Sequence, residues 1–389
     1  MKKSIGIIGS TGSIGTSTIE VIKKNRLFFN VIFLTANKNY KKLIKQAILL
    51  KPKYIFIKDS SKIEYIKKKI KRYNILVLND FESLIKIQKK KIDYIMSSIS
   101  GLSGLYYNLL IIKKTKKILM ANKESIICGW VLIKKELEKH STQLIPIDSE
   151  HYSIYELLKS VDYSQIKDIY ITASGGPFLK KRHKDLKSIT INEALNHPKW
   201  KMGKKISIDS SNLMNKVFEV MEAYRLFDMP KKKIKIIIHP EAYVHAILNM
   251  NNGISKCIIH NNNMQIPILS SLEIDNLKIS SKIINFKLNK NQNFNFDKVN
   301  KKQFPSVNIL DNISNKSSLF DTVIISANDA LVELFLNKKI SYHKISKNLE
   351  KITRLKEFQK YKKLTPKNYQ DIYNLNKIVR LKTYALSVI

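Results

Sequence analysis

Short apolar runs recur along the first 150 residues at intervals that suit strands separated by helices. Ser4-Ile5-Gly6-Ile7-Ile8 opens the series, and Val31-Ile32-Phe33-Leu34, Tyr54-Ile55-Phe56-Ile57, Ile75-Leu76-Val77-Leu78, Tyr94-Ile95-Met96 and Ile118-Leu119-Met120 continue it. Runs this apolar, alternating with amphipathic stretches, predict a doubly wound parallel sheet covered on both faces. From residue 151 to about 273 the pattern changes. Strands such as Ile169-Tyr170-Ile171-Thr172 and Ile234-Lys235-Ile236-Ile237-Ile238 lie among polar motifs, which predicts an α+β arrangement. Residues 274–302 lose periodicity, are rich in Asn and Lys, and are expected to form a linker. Beyond Pro305 the pattern is helical, with helices expected over Ser326–Asn337 and Tyr342–Ile352. The expected fold class is therefore α/β, with a Rossmann-like domain at 1–148, an α+β domain at 149–273, a linker at 274–302 and a helical domain at 303–389.

The polar positions of the first unit carry chemistry. The apolar run ending at Ile8 is followed by Gly9-Ser10-Thr11-Gly12-Ser13-Ile14-Gly15 and then by a helical stretch. Strand, glycine-rich turn and helix in that order let the backbone approach a pyrophosphate, which the helix N-terminus stabilises. At the end of the second strand, where an acid would hold the ribose 2′-hydroxyl of NAD, stand Thr35-Ala36-Asn37-Lys38-Asn39. An absent carboxylate beside a cation favours the 2′-phosphate of NADPH.

Two further clusters are rich in carboxylates. Asp148-Ser149-Glu150-His151 follows the buried run Ile145-Pro146-Ile147. In an extended conformation Asp148 and Glu150 would share a side, although a helix cap with an acid in its first turn gives the same residues. On a helix starting near Ser211, the residues Ser211, Asn215, Glu219 and Glu222 fall on one face. Asp148, Glu150 and Glu219 together would make an all-oxygen site for Mg²⁺ or Mn²⁺. Zinc is disfavoured, because Cys128 and Cys257 stand far apart and Cys257 with His260 is a lone pair, with no Cys/His cluster to complete a ligand set.

Composition adds bounds. The formal net charge is +39, but the lysines are scattered among Ile and Asn without a nucleic-acid-binding signature. That pattern fits a codon bias, favours anionic phosphorylated ligands, and gives no reason to expect a nucleic-acid partner. Two cysteines imply no disulfide framework. No segment reaches about 18 uncharged apolar residues, and the apolar run after Met1-Lys2-Lys3 leads straight into the glycine turn. A cytoplasmic protein with no membrane association is expected.

These motifs closely resemble the 1-deoxy-D-xylulose 5-phosphate reductoisomerase family. The resemblance is carried by the glycine turn 9–15, Ala121-Asn122-Lys123-Glu124-Ser125, Asp148-Ser149-Glu150-His151, Ser174-Gly175-Gly176-Pro177-Phe178, the block from His197 to Glu222, and His239-Pro240 with His245. They run in family order over roughly the first 250 residues; Ser326-Ala327-Asn328-Asp329 extends the likeness more weakly. The resemblance implies isomerisation of a ketose phosphate followed by reduction with NADPH, in a homodimer. Asp148, Glu150 and Glu219 match metal ligands, and Lys123 and Glu222 join them as catalytic candidates. Ser149, Ser174, His197, Trp200, Ser210, Asn215 and Lys216 match substrate-binding positions, with Lys123, Glu150 and Glu219 shared. Thr11, Gly12, Ser13, Ile14, Lys38, Asn39, Asn122, Glu124 and Gly203 match cofactor contacts. Residues 175–203 match a mobile lid that carries Trp200, with glycines as hinges at both ends.

The chain departs from the family pattern at Glu241, where Gln is usual, at Gln265, at Asp275-Asn276-Leu277, and at Lys199 and Lys201 in the lid. Two other classes remain open from the residues alone. One is a Rossmann dehydrogenase acting through a cysteine thiolate, and the other is a basic nucleic-acid-binding protein.

Overall fold

The computed structural model describes residues 2–200, 202–284, 293–314 and 316–387. Lys201 and residues 285–292 of the expected linker fall outside the described residues. The chain forms two compact units. One comprises residues 1–125, 133–152 and 263–286, and the other 126–132, 153–262 and 287–389.

The first unit is built on seven parallel strands. They are β1 (Lys3–Ile8), β2 (Phe29–Ala36), β3 (Tyr54–Ile57), β4 (Leu76–Leu78), β5 (Ile92–Ser97), β6 (Thr115–Met120) and β7 (Gln143–Pro146). Their order is β4-β3-β2-β1-β5-β6-β7. β1 pairs with β2 on one side and β5 on the other, with Ile5 opposite Val31 and Tyr94. The strand order reverses there, and a crevice opens beyond the carboxyl ends of β1 and β5. Ile5, Ile7, Leu34, Ile55, Ile95, Ile118 and Ile145 are completely buried, as expected for a sheet covered on both faces. Gly6 has a packing reason: a Cβ there would stand 2.2 Å from the Phe33 ring.

The second unit contains β8 (Ile166–Ala173), β9 (Ile234–Ile238), β10 (Val244–Met250), β11 (Ser255–Ile259) and β12 (Asp297–Lys298). They form one mixed sheet in the order β11-β10-β8-β9-β12, with β8 and β9 parallel. Helices Lys204–Ser211 and Met214–Leu226 carry most of the polar block, and helices Leu319–Leu336, Tyr342–Thr353 and Tyr369–Ser387 follow.

Two helix boundaries differ from the expectation. The helix expected to begin near Ser211 begins at Met214, because Leu213 takes a left-handed conformation with φ of 61° and ends the preceding helix. Ser211 therefore belongs to a different helix from Asn215, Glu219 and Glu222. The helix expected from Ser326 begins seven residues earlier, at Leu319. There the Asp321 carboxylate accepts from the Ser318 N–H at 3.0 Å, capping the start of the helix. Among the described residues no helix is long and apolar enough to cross a membrane.

Candidate active site

The glycine turn is shaped by its backbone. Gly9 has a φ of 82°, and a Cβ on Gly15 would lie 2.3 Å from the Gly9 carbonyl oxygen. The Ser13–Lys24 helix therefore starts hard against the end of β1. Its N-cap, Gly12, offers no side-chain acceptor, and no acid stands in the first turn. The helix N-terminus is thus left to an external anion. Lys42 adds a cation behind the turn, donating to the Thr11 carbonyl at 3.1 Å and to Thr16 Oγ1 at 2.6 Å.

A cleft of about 250 Å³ opens in front of this turn. Gly9, Thr11 and Gly12 line it, together with Thr35, Ala36, Asn37, Phe56, Lys58, Ser98, Ile99, Ser100, Ser103 and Tyr107. No carboxylate is among these residues, so the cleft suits a phosphorylated dinucleotide. Lys38 and Asn39 do not line it. Lys38 is exposed, and the Asn39 side chain caps the next helix by accepting from the Lys42 N–H. Asn122 and Glu124 act on the cleft wall. The Asn122 amide donates to the Ile99 and Gly101 carbonyls, and Glu124 accepts from the Gly101 N–H at 3.3 Å. Lys58, Ser98, Ile99, Ser100 and Ser103 line the cleft without belonging to any motif in the sequence. Their signal was their place just beyond the carboxyl ends of β3 and β5.

Asp148 and Glu150 are not on an extended strand. Asp148 precedes the Ser149–Leu158 helix and accepts from the Glu150 N–H at 3.2 Å, so the capping geometry and the carboxylate pair coexist. Lys123 Nζ stands 3.3 Å from one Asp148 oxygen, and His151 Nδ1 stands 3.4 Å from the other. Burial would raise the Asp148 pKa, but Lys123 and His151 outweigh it and hold the carboxyl well below its ordinary range. Ser149 Oγ donates to Glu150 at 2.5 Å.

On the Met214–Leu226 helix, Glu219 is almost completely buried. Lys216 donates to one of its oxygens at 2.8 Å, and the Asn215 amide donates to the other. Asp148, Glu150 and Glu219 are the carboxylates among the described residues that could offer oxygens to a metal ion. The all-oxygen donor set fits a hard divalent cation. Glu222 is buried on the same helix but is not part of this carboxylate group.

His197 is held as a neutral ring. Its Nδ1 accepts from the backbone N–H groups of Lys199 and Trp200, which leaves the proton on Nε2, 3.3 Å from Ser174 Oγ. Burial, reinforced by Lys216, lowers its pKa to about 4. Trp200 approaches His245 at 6.3 Å between ring centroids, and His245 stacks on His260 at 3.8 Å.

The two glycine ends of the 175–203 segment differ. Gly175 and Gly176 have φ of 81° and 66°, and a Cβ on Gly176 would meet the Ser210 carbonyl oxygen at 2.8 Å. Gly203 has a φ of −66° and nothing near its missing Cβ, so its conformation does not require glycine. Within this segment, Thr190 and Glu193 form a capping box at the helix Ile191–Leu195. Glu241, in place of the family's glutamine, stands 3.1 Å from His239 Nδ1 and accepts from the Asn295 amide at 2.7 Å. Cys128 is buried, and burial raises the pKa of Cys257, so the Cys257 thiol is not activated as a nucleophile.

Family models for 1-deoxy-D-xylulose 5-phosphate reductoisomerase match residues 5–129, and models for its C-terminal domains match residues 144–227 and 259–382. The chain is 49% identical over 390 residues to the 1-deoxy-D-xylulose 5-phosphate reductoisomerase of Pelagibacter ubique, covering 99% of this chain and 100% of that one. This chain belongs to the 1-deoxy-D-xylulose 5-phosphate reductoisomerase family. The reductoisomerase of Thermoanaerobacter pseudethanolicus is 35% identical, with 98% of each chain covered. Among solved reductoisomerases, the Zymomonas mobilis enzyme in complex with NADPH superposes with a TM-score of 0.87 at 29% identity, covering 100% of this chain and 99% of that one. A complex with NADPH, fosmidomycin and magnesium gives 0.90 at 28% identity, with 98% of each covered.

Proposed function

We propose that this protein converts 1-deoxy-D-xylulose 5-phosphate to 2-C-methyl-D-erythritol 4-phosphate, using NADPH and a divalent cation, in the non-mevalonate route to isoprenoids. The observation that carries this reading is the carboxylate group of Asp148, Glu150 and Glu219 in a chain whose glycine turn leaves a helix N-terminus open to a dinucleotide. When bound, a cation at these oxygens polarises substrate oxygens and NADPH supplies the hydride.

The chain's own residues divide the remaining work. Asp148, Glu150 and Glu219 hold the cation, Mg²⁺ or Mn²⁺. Lys123, already within reach of Asp148, orients the substrate beside it, as does Ser149. Ser174, Ser210, Asn215 and Lys216 supply donors and a positive charge for the phosphate. Neutral His197 presents an N–H through Nε2, which suits a hydrogen bond to bound substrate. Glu222 acts from the same helix as Glu219, outside the ligand set. Thr11, Gly12, Ser13 and Ile14 cradle the pyrophosphate at the helix N-terminus, with Asn122, Glu124 and Gly203 as further cofactor positions, while Lys38 and Asn39 stand outside the cleft lining.

The proposal extends to organisation. Residues 1–148 serve the cofactor, 149–273 carry catalysis, 274–302 connect, and 303–389 complete the helical part. Residues 175–203 act as a lid that excludes water from hydride transfer. The working form is a cytoplasmic homodimer. The deciding test follows NADPH absorbance with 1-deoxy-D-xylulose 5-phosphate, with and without Mg²⁺. Metal-dependent oxidation is expected. Oxidation that persists after complete metal removal would overturn the assignment of the carboxylates.

A further inference from the structure

Recognition of NADPH over NADH needs a cation at the adenosine end of the cleft, and the sequence places Lys38 as the candidate. The geometry points to a different residue: we infer that Lys58, at the carboxyl end of β3, is the specificity-determining cation for the 2′-phosphate. This inference rests on the NADPH reading given above.

Lys58 carries the only charge among the described residues that line the cleft. Its position is fixed by the main chain. The Lys58 N–H donates to the Ala36 carbonyl at 3.0 Å, and the next N–H, that of Asp59, donates to Asn37 at 3.0 Å. The end of β3 is thereby stitched to the end of β2, beside Ala36 and Asn37. In a doubly wound sheet, that end of β2 is where the ribose hydroxyls lie. Asn37 occupies the place where an acid would reject a phosphate, and Lys58 stands next to it.

The competing cation is less well placed. Lys38 does not line the cleft, and its charge acts on Asp59. Asp59 is itself committed to the following turn, accepting from the Ser61 N–H at 3.2 Å and its hydroxyl at 2.7 Å. No carboxylate pairs with Lys58 among the described residues. A point charge on a flexible stem at the rim suits a phosphate dianion, which it can follow without fixed geometry.

The test measures dissociation constants of NADPH and NADH by calorimetry for the full-length wild type, Lys58→Gln, Lys58→Arg and Lys38→Gln. Lys58→Gln is expected to weaken NADPH by about tenfold, worth roughly 1.4 kcal/mol, while leaving NADH unchanged. Lys58→Arg should retain the preference, and Lys38→Gln should lose less of it than Lys58→Gln. Equal weakening of both nucleotides by Lys58→Gln would overturn the assignment, since it would mark a general cleft role. So would a preference for NADPH that survives Lys58→Gln intact. A wild type that binds neither nucleotide would sink this inference and the NADPH reading together, whereas the first two results would sink the inference alone.

Discussion

His197 accepts a hydrogen bond from the Trp200 backbone N–H at its Nδ1, at 3.0 Å. The contact folds the His-Pro-Lys-Trp stretch into a turn that requires an unprotonated Nδ1. The ring's pKa of about 4 against an ordinary 6.5 follows from burial first and the Lys216 charge second. Between those values the unfolded chain binds the proton and the folded ring does not, so the folded turn gains stability as pH rises. It should therefore loosen as pH falls from about 6.5 toward about 4. NMR titration of labelled histidine checks this. A His197 midpoint near the ordinary value would contradict the buried, neutral ring.

Glu219→Gln removes one carboxylate charge while keeping the side-chain shape. Turnover at saturating Mg²⁺ should fall at least about a hundredfold, since a cation's charge stabilisation is worth several kcal/mol. NADPH affinity should change little. Steady-state kinetics and calorimetry, run side by side, separate the two; near-normal turnover would rule out Glu219 as a ligand.

Gly176→Ala and Gly203→Ala should behave differently. At Gly176 the left-handed backbone and the Ser210 carbonyl 2.8 Å from a new Cβ predict a loss of about 1–3 kcal/mol. At Gly203 nothing obstructs a methyl group, and stability should shift by no more than about 0.5 kcal/mol. Denaturant melts of the two variants decide it; equal losses would show that the strain at Gly176 is relieved elsewhere.

Arg225 and Asp321 form a buried ion pair joining the Met214–Leu226 helix to the N-terminus of the Leu319–Leu336 helix. Arg225→Ala leaves the Asp321 carboxylate buried without that partner. A loss of about 3–5 kcal/mol is expected, read from chemical denaturation. Arg225→Met together with Asp321→Leu should recover part of it, and no recovery would argue for a role beyond pairing.

The sequence was most legible where spacing and chemistry coincide. The glycine turn and the strand series of the first unit follow from residue types at fixed intervals, whereas Glu219 is joined to Asp148 and Glu150 by family resemblance. It was least legible where one residue breaks a local rule. Periodicity carried a helix through Leu213, because nothing marks a leucine for φ of 61°. Asp148 and Glu150 read as a strand pair because an Asp-x-Glu serves a cap or a strand equally well. Lys58 was lost among 70 lysines and arginines, since only strand order shows which strand end faces the cleft. The early start at Leu319 could have been read from Ser318 and Asp321, whose three-residue spacing is that of a capping box.

The side-chain amide of Gln303 donates to the carbonyls of Phe178, Leu179 and Lys181, at 2.6, 2.9 and 2.9 Å. A residue more than a hundred positions downstream thus works as a mooring post for the start of the 175–203 segment. Lengthening a free loop costs slowly, about 0.6 kcal/mol per doubling, so the mooring matters less for stability than for reach. It confines His197 and Trp200 to the arc that a shortened tether allows. Under the proposed lid role, their effective local concentration over the substrate would be set in part by this amide. Under the same proposal, changes near Gln303 would register as altered closing frequency, in a chain whose metal and cofactor groups were all intact.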